Sequence, residues 1–221
     1  RVLERIFFHD VLNTVTGLQG ITELLATEED PVLVDEYIDD LQRLSAQIVE
    51  EILGQRVLLA AESGELTVEA AKVGVDALID DVVATYRRHP VCEGHVLKID
   101  PRPAAFFGTD AGLLRRILSN LVKNAIEATP AGGTVTVGGT ILDDGSLRLA
   151  VHNPTVMSRG VKRQIFQRSF STKRGRGRGI GTYSIRLFAE RYLGGRVSFD
   201  SAEGVGTTFV VILPSLKRQR S

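Results

Sequence analysis

Cysteine is nearly missing from this 221-residue chain: Cys92 stands alone, which excludes an intramolecular disulfide and fits a reducing compartment. Net charge is missing as well. Lys plus Arg and Asp plus Glu number 27 each, so no electrostatic excess points to nucleic acid or an anionic membrane as the main partner. The basic end, LKRQRS, reads as a frayed tail. No apolar run approaches the roughly 18 residues of a membrane span, and no signal peptide is visible. The chain therefore reads as cytoplasmic, with no nucleic-acid partner and no membrane contact of its own. It also lacks an initiating methionine, beginning at Arg1, and reads as a piece of a longer protein whose regulation lies upstream. What is present suffices for a real core: 43% of the residues are apolar, and the length suits one large domain or two small ones.

Up to about residue 61 the pattern is helical, with one break at TEEDP, residues 27 to 31. Apolar residues recur at threes and fours on both sides of it: Leu3, Ile6, Phe7, Val11, Val15, Leu18 and Leu25, then Val34, Ile38, Leu41, Ile48 and Ile52. This describes a helical hairpin. Two helices cannot cover such stripes alone, and a second copy of the chain, giving an antiparallel four-helix bundle, is the economical solution. The expectation is a homodimer; packing of the hairpin on the rest of its own chain is the alternative.

Beyond AAESGEL the pattern alternates. LTVEAAKV and HVLKID read as strands, a helix runs from about Val75 to Arg88, and Thr109 with Asp110 opens another that continues to about Ala128. GTVTVGGTIL and SLRLAVHN form a hairpin around Asp143, Asp144 and Gly145, and GRVSFD pairs with GTTFVVILP after a helix from about Ile180 to Tyr192. The order suggests an α+β sandwich with helices on one face of the sheet.

Within the first helix, FFHDVLNT places His9 nearly opposite the apolar stripe at about 100° per residue. His9, Asn13, Thr16 and Gly20 share one polar strip that becomes small beyond the histidine, leaving room for another protein. A neutral imidazole is nucleophilic at pH 7. Asp10 can accept the proton on one ring nitrogen while the other attacks phosphorus, and the Asn13 amide can orient a water. The plainer reading of these residues is a solvated helix surface.

LSNLVKNAIEA, residues 118 to 128, sets Asn120 and Asn124 on one helix face, where two amide oxygens can ligate Mg²⁺ while waters and phosphates complete the octahedron. Capping or simple surface placement is the competing account. Further on, STKRGRGRGIGTYSIR puts Gly175, Gly177, Gly179 and Gly181 ahead of a helix, with Lys173, Arg174, Arg176 and Arg178 supplying positive charge. Such a stretch lets backbone amides approach phosphates; it also suits a flexible surface loop.

The order of histidine hairpin, asparagine helix, glycine loop and closing GVGTTF strand pair resembles the cytoplasmic catalytic core of a two-component sensor histidine kinase. FFHDVLNT looks like its phosphoacceptor box, LSNLVKNAIEA like its N box, IFQRSFSTK like its F box and GRGRGIGTYSIR like its second glycine box. The resemblance implies two domains: a dimerisation and histidine-phosphotransfer hairpin over residues 1–61, and an ATP-binding α/β sandwich of the Bergerat type over residues 66–216. It implies a kinase that autophosphorylates His9 from Mg-ATP and passes the phosphoryl group to an aspartate of a response regulator receiver domain, with regulator phosphatase activity as a further expectation. Asp10 would be the adjacent base, and Asn13 would align water for dephosphorylation. Asn120 and Asn124 would hold Mg²⁺, with Lys123 beside them on the N box. Thr172, Lys173 and the glycines at 175, 177, 179 and 181 would form the lid over ATP, and Thr207 would lie near the adenine. The linker near residues 61 to 66 would flex, and a sensor or membrane segment would lie upstream.

One stretch departs from the family pattern. Where the first glycine box normally reads Asp, any residue, Gly, any residue, Gly, this chain has HNPTVM, residues 152 to 157. His152, followed by Asn153, stands where the adenine-reading aspartate is expected, and Pro154 and Val156 replace the glycines. Two alternatives follow. One is a histidine phosphotransferase or phosphatase with a degenerate nucleotide-binding domain. The other is a serine-type kinase or ATP-driven switch in which His9 is incidental.

Overall fold

The computed structural model describes residues 2–102, 105–168, 170 and 181–216, with side chains described from residue 11 onward within that set. The chain divides into two compact units, and residues 1–66 form the core of the first.

Unit one is a pair of helices, α1 (Val2–Leu25) and α2 (Pro31–Ser63). The start of α2 is written in the sequence: Asp30 accepts a hydrogen bond from Val32 N at 2.9 Å and Pro31 occupies the first turn, where its missing N–H costs nothing. Its end is a left-handed Gly64 (φ 83°) whose N–H bonds to the Ala60 carbonyl, a conformation glycine adopts without a Cβ penalty. The helix therefore outruns the expected boundary at residue 61 by two residues. Where α1 meets α2, Thr14 is buried and a Cβ on Gly17 would stand 3.5 Å from Leu44. The expected stripe residues Val11, Val15, Leu18 and Leu25 are only half-buried. Large apolar side chains remain open to solvent, among them Leu12 and Val49, and Ile52 and Leu53 at the next positions of helical spacing on α2.

Unit two is an α+β sandwich. A five-stranded sheet runs in the order β2 (Val96–Ile99), β4 (Thr134–Ile141), β5 (Leu147–Asn153), β7 (Gly206–Leu213), β6 (Arg196–Ala202), with β1 (Ala71–Gly74) and β3 (Phe106–Thr109) forming a separate antiparallel pair. Among the described residues only β2 and β4 pair in parallel. The helices are α3 (Val75–Arg87), α4 (Ala111–Ala128), the short α5 (Arg159–Gln164) and α6 (Gly181–Arg186), which continues as one π-helical turn and more to Tyr192. Ile79, Val82 and Val83 of α3 and Leu114, Ile117, Leu118, Leu121 and Ile126 of α4 bury their apolar stripes against sheet residues Val135, Val137, Leu149, Val151 and Val211. The LTVEAAKV stretch contributes a shorter strand than its pattern suggests, because residues ahead of Ala71 have no ladder partner; Glu69 N–H bonds instead to the Asp110 carboxylate at 2.8 Å. β3 is hidden in the sequence by the preceding PRPAA, and α5 by its lack of an apolar stripe.

One turn shows local chemistry deciding register. Gly145 takes φ 78° in the β4–β5 hairpin, and Asp144 Oδ1 accepts from both the Ser146 N–H at 2.9 Å and its hydroxyl at 2.5 Å. Those bonds hold the exposed Asp144 carboxyl below its ordinary pKa.

Candidate nucleotide site

The candidate site lies at one end of unit two, where α4 finishes, β5 finishes and β7 begins. Asp110 opens α4 by accepting from Leu113 N at 3.0 Å. The apolar stripe of that helix is fully committed to the core, so Asn120 and Asn124 fall at the margin of the buried face and are half-buried, with Lys123 exposed. The Asn120 amide nitrogen donates to Ser184 Oγ at 3.0 Å, and that hydroxyl donates to the Gly181 carbonyl at 2.9 Å. With its nitrogen committed to α6, Asn120 has its oxygen left for a cation.

Asn124 differs in the property that matters most. Its Nδ2 is buried with no hydrogen-bond partner among the described residues, a state that costs roughly 1–3 kcal/mol when nothing compensates it. Gly181 sits directly against this amide: a Cβ there would stand 3.3 Å from Nδ2 and 3.4 Å from Oδ1. Glycine keeps the amide clear on that side. Among the described residues no three His, Cys, Asp or Glu side chains group to hold a metal, so any cation bound here would depend on amide oxygens and on a ligand's own oxygens. That donor set suits Mg²⁺, which keeps much of its shell as water and phosphate.

The sheet side of the site is organised by hydroxyls. Thr207, buried, donates to the Thr155 carbonyl at 2.6 Å; with its one proton so placed, it accepts from Ser201 Oγ at 2.8 Å. Ser201 Oγ in turn accepts from Met157 N at 2.9 Å, and Lys162 Nζ caps the Ser201 carbonyl at 2.6 Å. Thr155 Oγ1 donates to the carbonyl of Ala128 at 2.6 Å. The HNPTVM loop is thus tied to the last residue of α4, one turn beyond Asn124.

The strand pleat corrects one expectation. Along β5 burial alternates, with Leu147, Leu149, Val151 and Asn153 on the helix-covered face. His152 therefore points to the opposite face, where its Nδ1 hydrogen-bonds to the cross-strand Thr208 hydroxyl at 3.0 Å. The side chain that faces the helices is Asn153. It is 3% exposed, lies directly across from Thr207, and its Nδ2 has no hydrogen-bond partner among the described residues. The motif offset of one residue hid this, and the alternation LRLAVHN is the signal that reveals it.

Gly206 is required here. Its φ is 97°, and a Cβ on it would lie 2.3 Å from the Asn153 carbonyl oxygen and 2.8 Å from Pro154 Cα. Alanine would incur left-handed strain and a clash with backbone that cannot rotate away. Gly206→Ala is expected to cost about 3 kcal/mol and to lower the thermal midpoint by roughly 6–12 °C. Calorimetric melting checks this; an unchanged midpoint would contradict the close approach of β7 to residues 153 and 154.

Flanking the stretch 171–180, the Thr182 hydroxyl donates to the Ile165 carbonyl, and Phe166 packs against Phe199 and Phe209 with ring centroids 5.8 and 6.2 Å apart. Thr172, Lys173, Gly175, Gly177 and Gly179 lie outside the described residues. On unit one, His9 and Asp10 belong to α1, but their side chains also lie outside what is described. Asn13 is half-buried, whereas Thr16 and Gly20 are exposed, with nothing within 4 Å of a Cβ on Gly20.

Residues 109–217 match the family model described as "Histidine kinase-, DNA gyrase B-, and HSP90-like ATPase". The sensor protein IrlS of Burkholderia pseudomallei is 28% identical over 94% of this chain and 45% of its own length. The chain spans about half the length of several curated relatives that it matches. Among solved structures, the catalytic domain of the histidine kinase ThkA is similar with a TM-score of 0.58 at 25% identity, over 66% of this chain and 96% of that one. ThkA in complex with the response regulator protein TrrA shares the fold over 99% of this chain and 62% of that one, with a TM-score of 0.59 at 19% identity.

Proposed function

We propose that the chain is the catalytic core of a sensor histidine kinase, its residues 109–217 matching the model of the histidine kinase-, DNA gyrase B- and HSP90-like ATPases with their Bergerat-type α+β fold, and that it phosphorylates its own His9 from Mg-ATP. The observation that carries this is the buried, unpartnered Asn124 nitrogen held clear by Gly181. A domain that had stopped binding nucleotide would have no use for an uncompensated amide there. Mg²⁺, when bound, supplies charge neutralisation on the phosphate chain. Asn120 and Asn124 would hold it through their oxygens, and the free Asn124 nitrogen is a donor for a phosphate oxygen. Thr207 and Asn153 would bound the base, and Lys123, Thr172, Lys173 and the glycines at 175 to 181 the phosphates.

On the hairpin, His9 would attack the γ-phosphorus while Asp10 accepts the imidazole proton; the N–P bond forms as the bond to the ADP oxygen breaks. The phosphoryl group would then pass to a receiver-domain aspartate. That partner would dock beside exposed Thr16 and Gly20, where small residues leave room. The core would act in the cytoplasm as a homodimer, the second copy covering the open apolar residues of unit one, including Val49, Ile52 and Leu53.

The test is incubation with γ-labelled ATP and Mg²⁺. Acid-labile phosphate on the protein is the expected result; acid-stable label, or none despite bound nucleotide, would overturn the assignment. Within the same reading, Asn13→Ala should leave autophosphorylation within about twofold while slowing regulator dephosphorylation roughly a hundredfold, the loss typical of a misplaced reactant. Equal loss of both activities would refute that division of labour.

A further inference from the structure

The pleat of β5 puts an amide, not a carboxylate and not an imidazole, at the base end of the site, and an amide reads a purine differently. Asn153 is 3% exposed, faces the helix-covered side beside Thr207, and offers a nitrogen with no partner among the described residues. Two further features hold it there: the close approach of Gly206 to its carbonyl, and the bonds from Thr155 to the end of α4 and from Thr207 to Thr155. A buried donor kept unpaired in so constrained a setting is a ligand-facing donor.

A carboxylate only accepts hydrogen bonds. It therefore favours a purine with an amino group at position 6 and opposes one with a carbonyl there. An amide carries one donor and one acceptor side by side. In one orientation its oxygen accepts from the adenine 6-amino group while its nitrogen donates to N1. Turned over, its nitrogen donates to the guanine 6-oxygen while its oxygen accepts from N1–H. No described residue pins the nitrogen in either orientation.

Resting on the nucleotide-binding reading above, we propose that Asn153 is the base-reading residue and that it makes the site permissive for 6-oxo as well as 6-amino purine nucleotides. GTP would thus be a phosphoryl donor alongside ATP. His152, on the other face of the sheet and bonded to Thr208, takes no part in base choice.

The experiment is calorimetric titration of the chain with the Mg²⁺ complexes of the β,γ-imido analogues of ATP and GTP. Wild type is expected to bind both, with affinities within about tenfold of each other, and His152→Ala to keep that ratio. Asn153→Asp is expected to favour the adenine analogue by about a hundredfold, the scale of one bidentate base contact. Strong preference of the wild type for the adenine analogue would overturn the inference and leave the kinase reading intact. So would a changed ratio in His152→Ala. Failure of both analogues to bind would remove the nucleotide-site reading and this inference with it. Because the wild-type ratio is decisive alone, misfolding of Asn153→Asp would not shield the proposal.

Discussion

Replacing His9 by alanine is expected to reduce acid-labile labelling to background while leaving nucleotide binding intact. The loss is complete in principle, because the proposed role is acceptance of the phosphoryl group itself: without the imidazole there is no nitrogen lone pair to form the N–P bond, and improved alignment cannot compensate. Folding should survive, since His9 lies on the long helix α1 and alanine is the best helix former. Asn120, Asn124, Asn153 and Thr207 belong to the other unit, so affinity for Mg-ATP should be unchanged. Labelling with γ-labelled ATP, alongside titration with a non-hydrolysable analogue, separates the two quantities. Persistent label in His9→Ala would move the acceptor to another side chain and return the serine-type reading.

Asn124→Asp should lower labelling by about a hundredfold or more, the scale of losing one preorganised donor to transition-state charge. The substitution is nearly isosteric and keeps an oxygen able to ligate Mg²⁺. What it removes is the nitrogen, which is buried and unpartnered among the described residues. In its place stands an oxygen that either carries charge against the phosphates or is forced to stay protonated. The variant therefore asks whether the amide serves only through its oxygen. Retention of more than half of the wild-type label would show that the nitrogen does not face the phosphate chain. A circular dichroism melt confirms that any loss is not unfolding.

Much of this arrangement is legible in the sequence wherever a single residue type has a strong local consequence. Asp30–Pro31 announces α2 and Asp110 announces α4 because both carboxylates cap orphan N–H groups. Asp143, Asp144 and Gly145 announce the β4–β5 hairpin through the positive φ that only the glycine adopts freely. The apolar stripe of α4 also fixes which margin Asn120 and Asn124 occupy. Legibility fails where the deciding interaction is long-range or one residue wide. β3 forms because Phe106 to Thr109 find β1 as a partner, not because of a strong pattern of their own. The bond from Asn120 to Ser184 joins residues 64 positions apart. His152 and Asn153 exchange roles through a single step of the pleat, which motif matching with an unfamiliar loop cannot register but strand parity can.

The Asp110 carboxylate also has a mechanical meaning. One oxygen caps α4, the helix bearing Asn120 and Asn124, and the other holds the N–H of Glu69. At the opposite end of the connection, the left-handed Gly64 halts α2. The N–H groups of Glu65 and Leu66 still bond back to the Ala60 carbonyl at 2.9 and 3.0 Å, so between these two anchors only residues 67 and 68 intervene. Loss of that one carboxylate would therefore release the chain entering unit two and the first turn of α4 together.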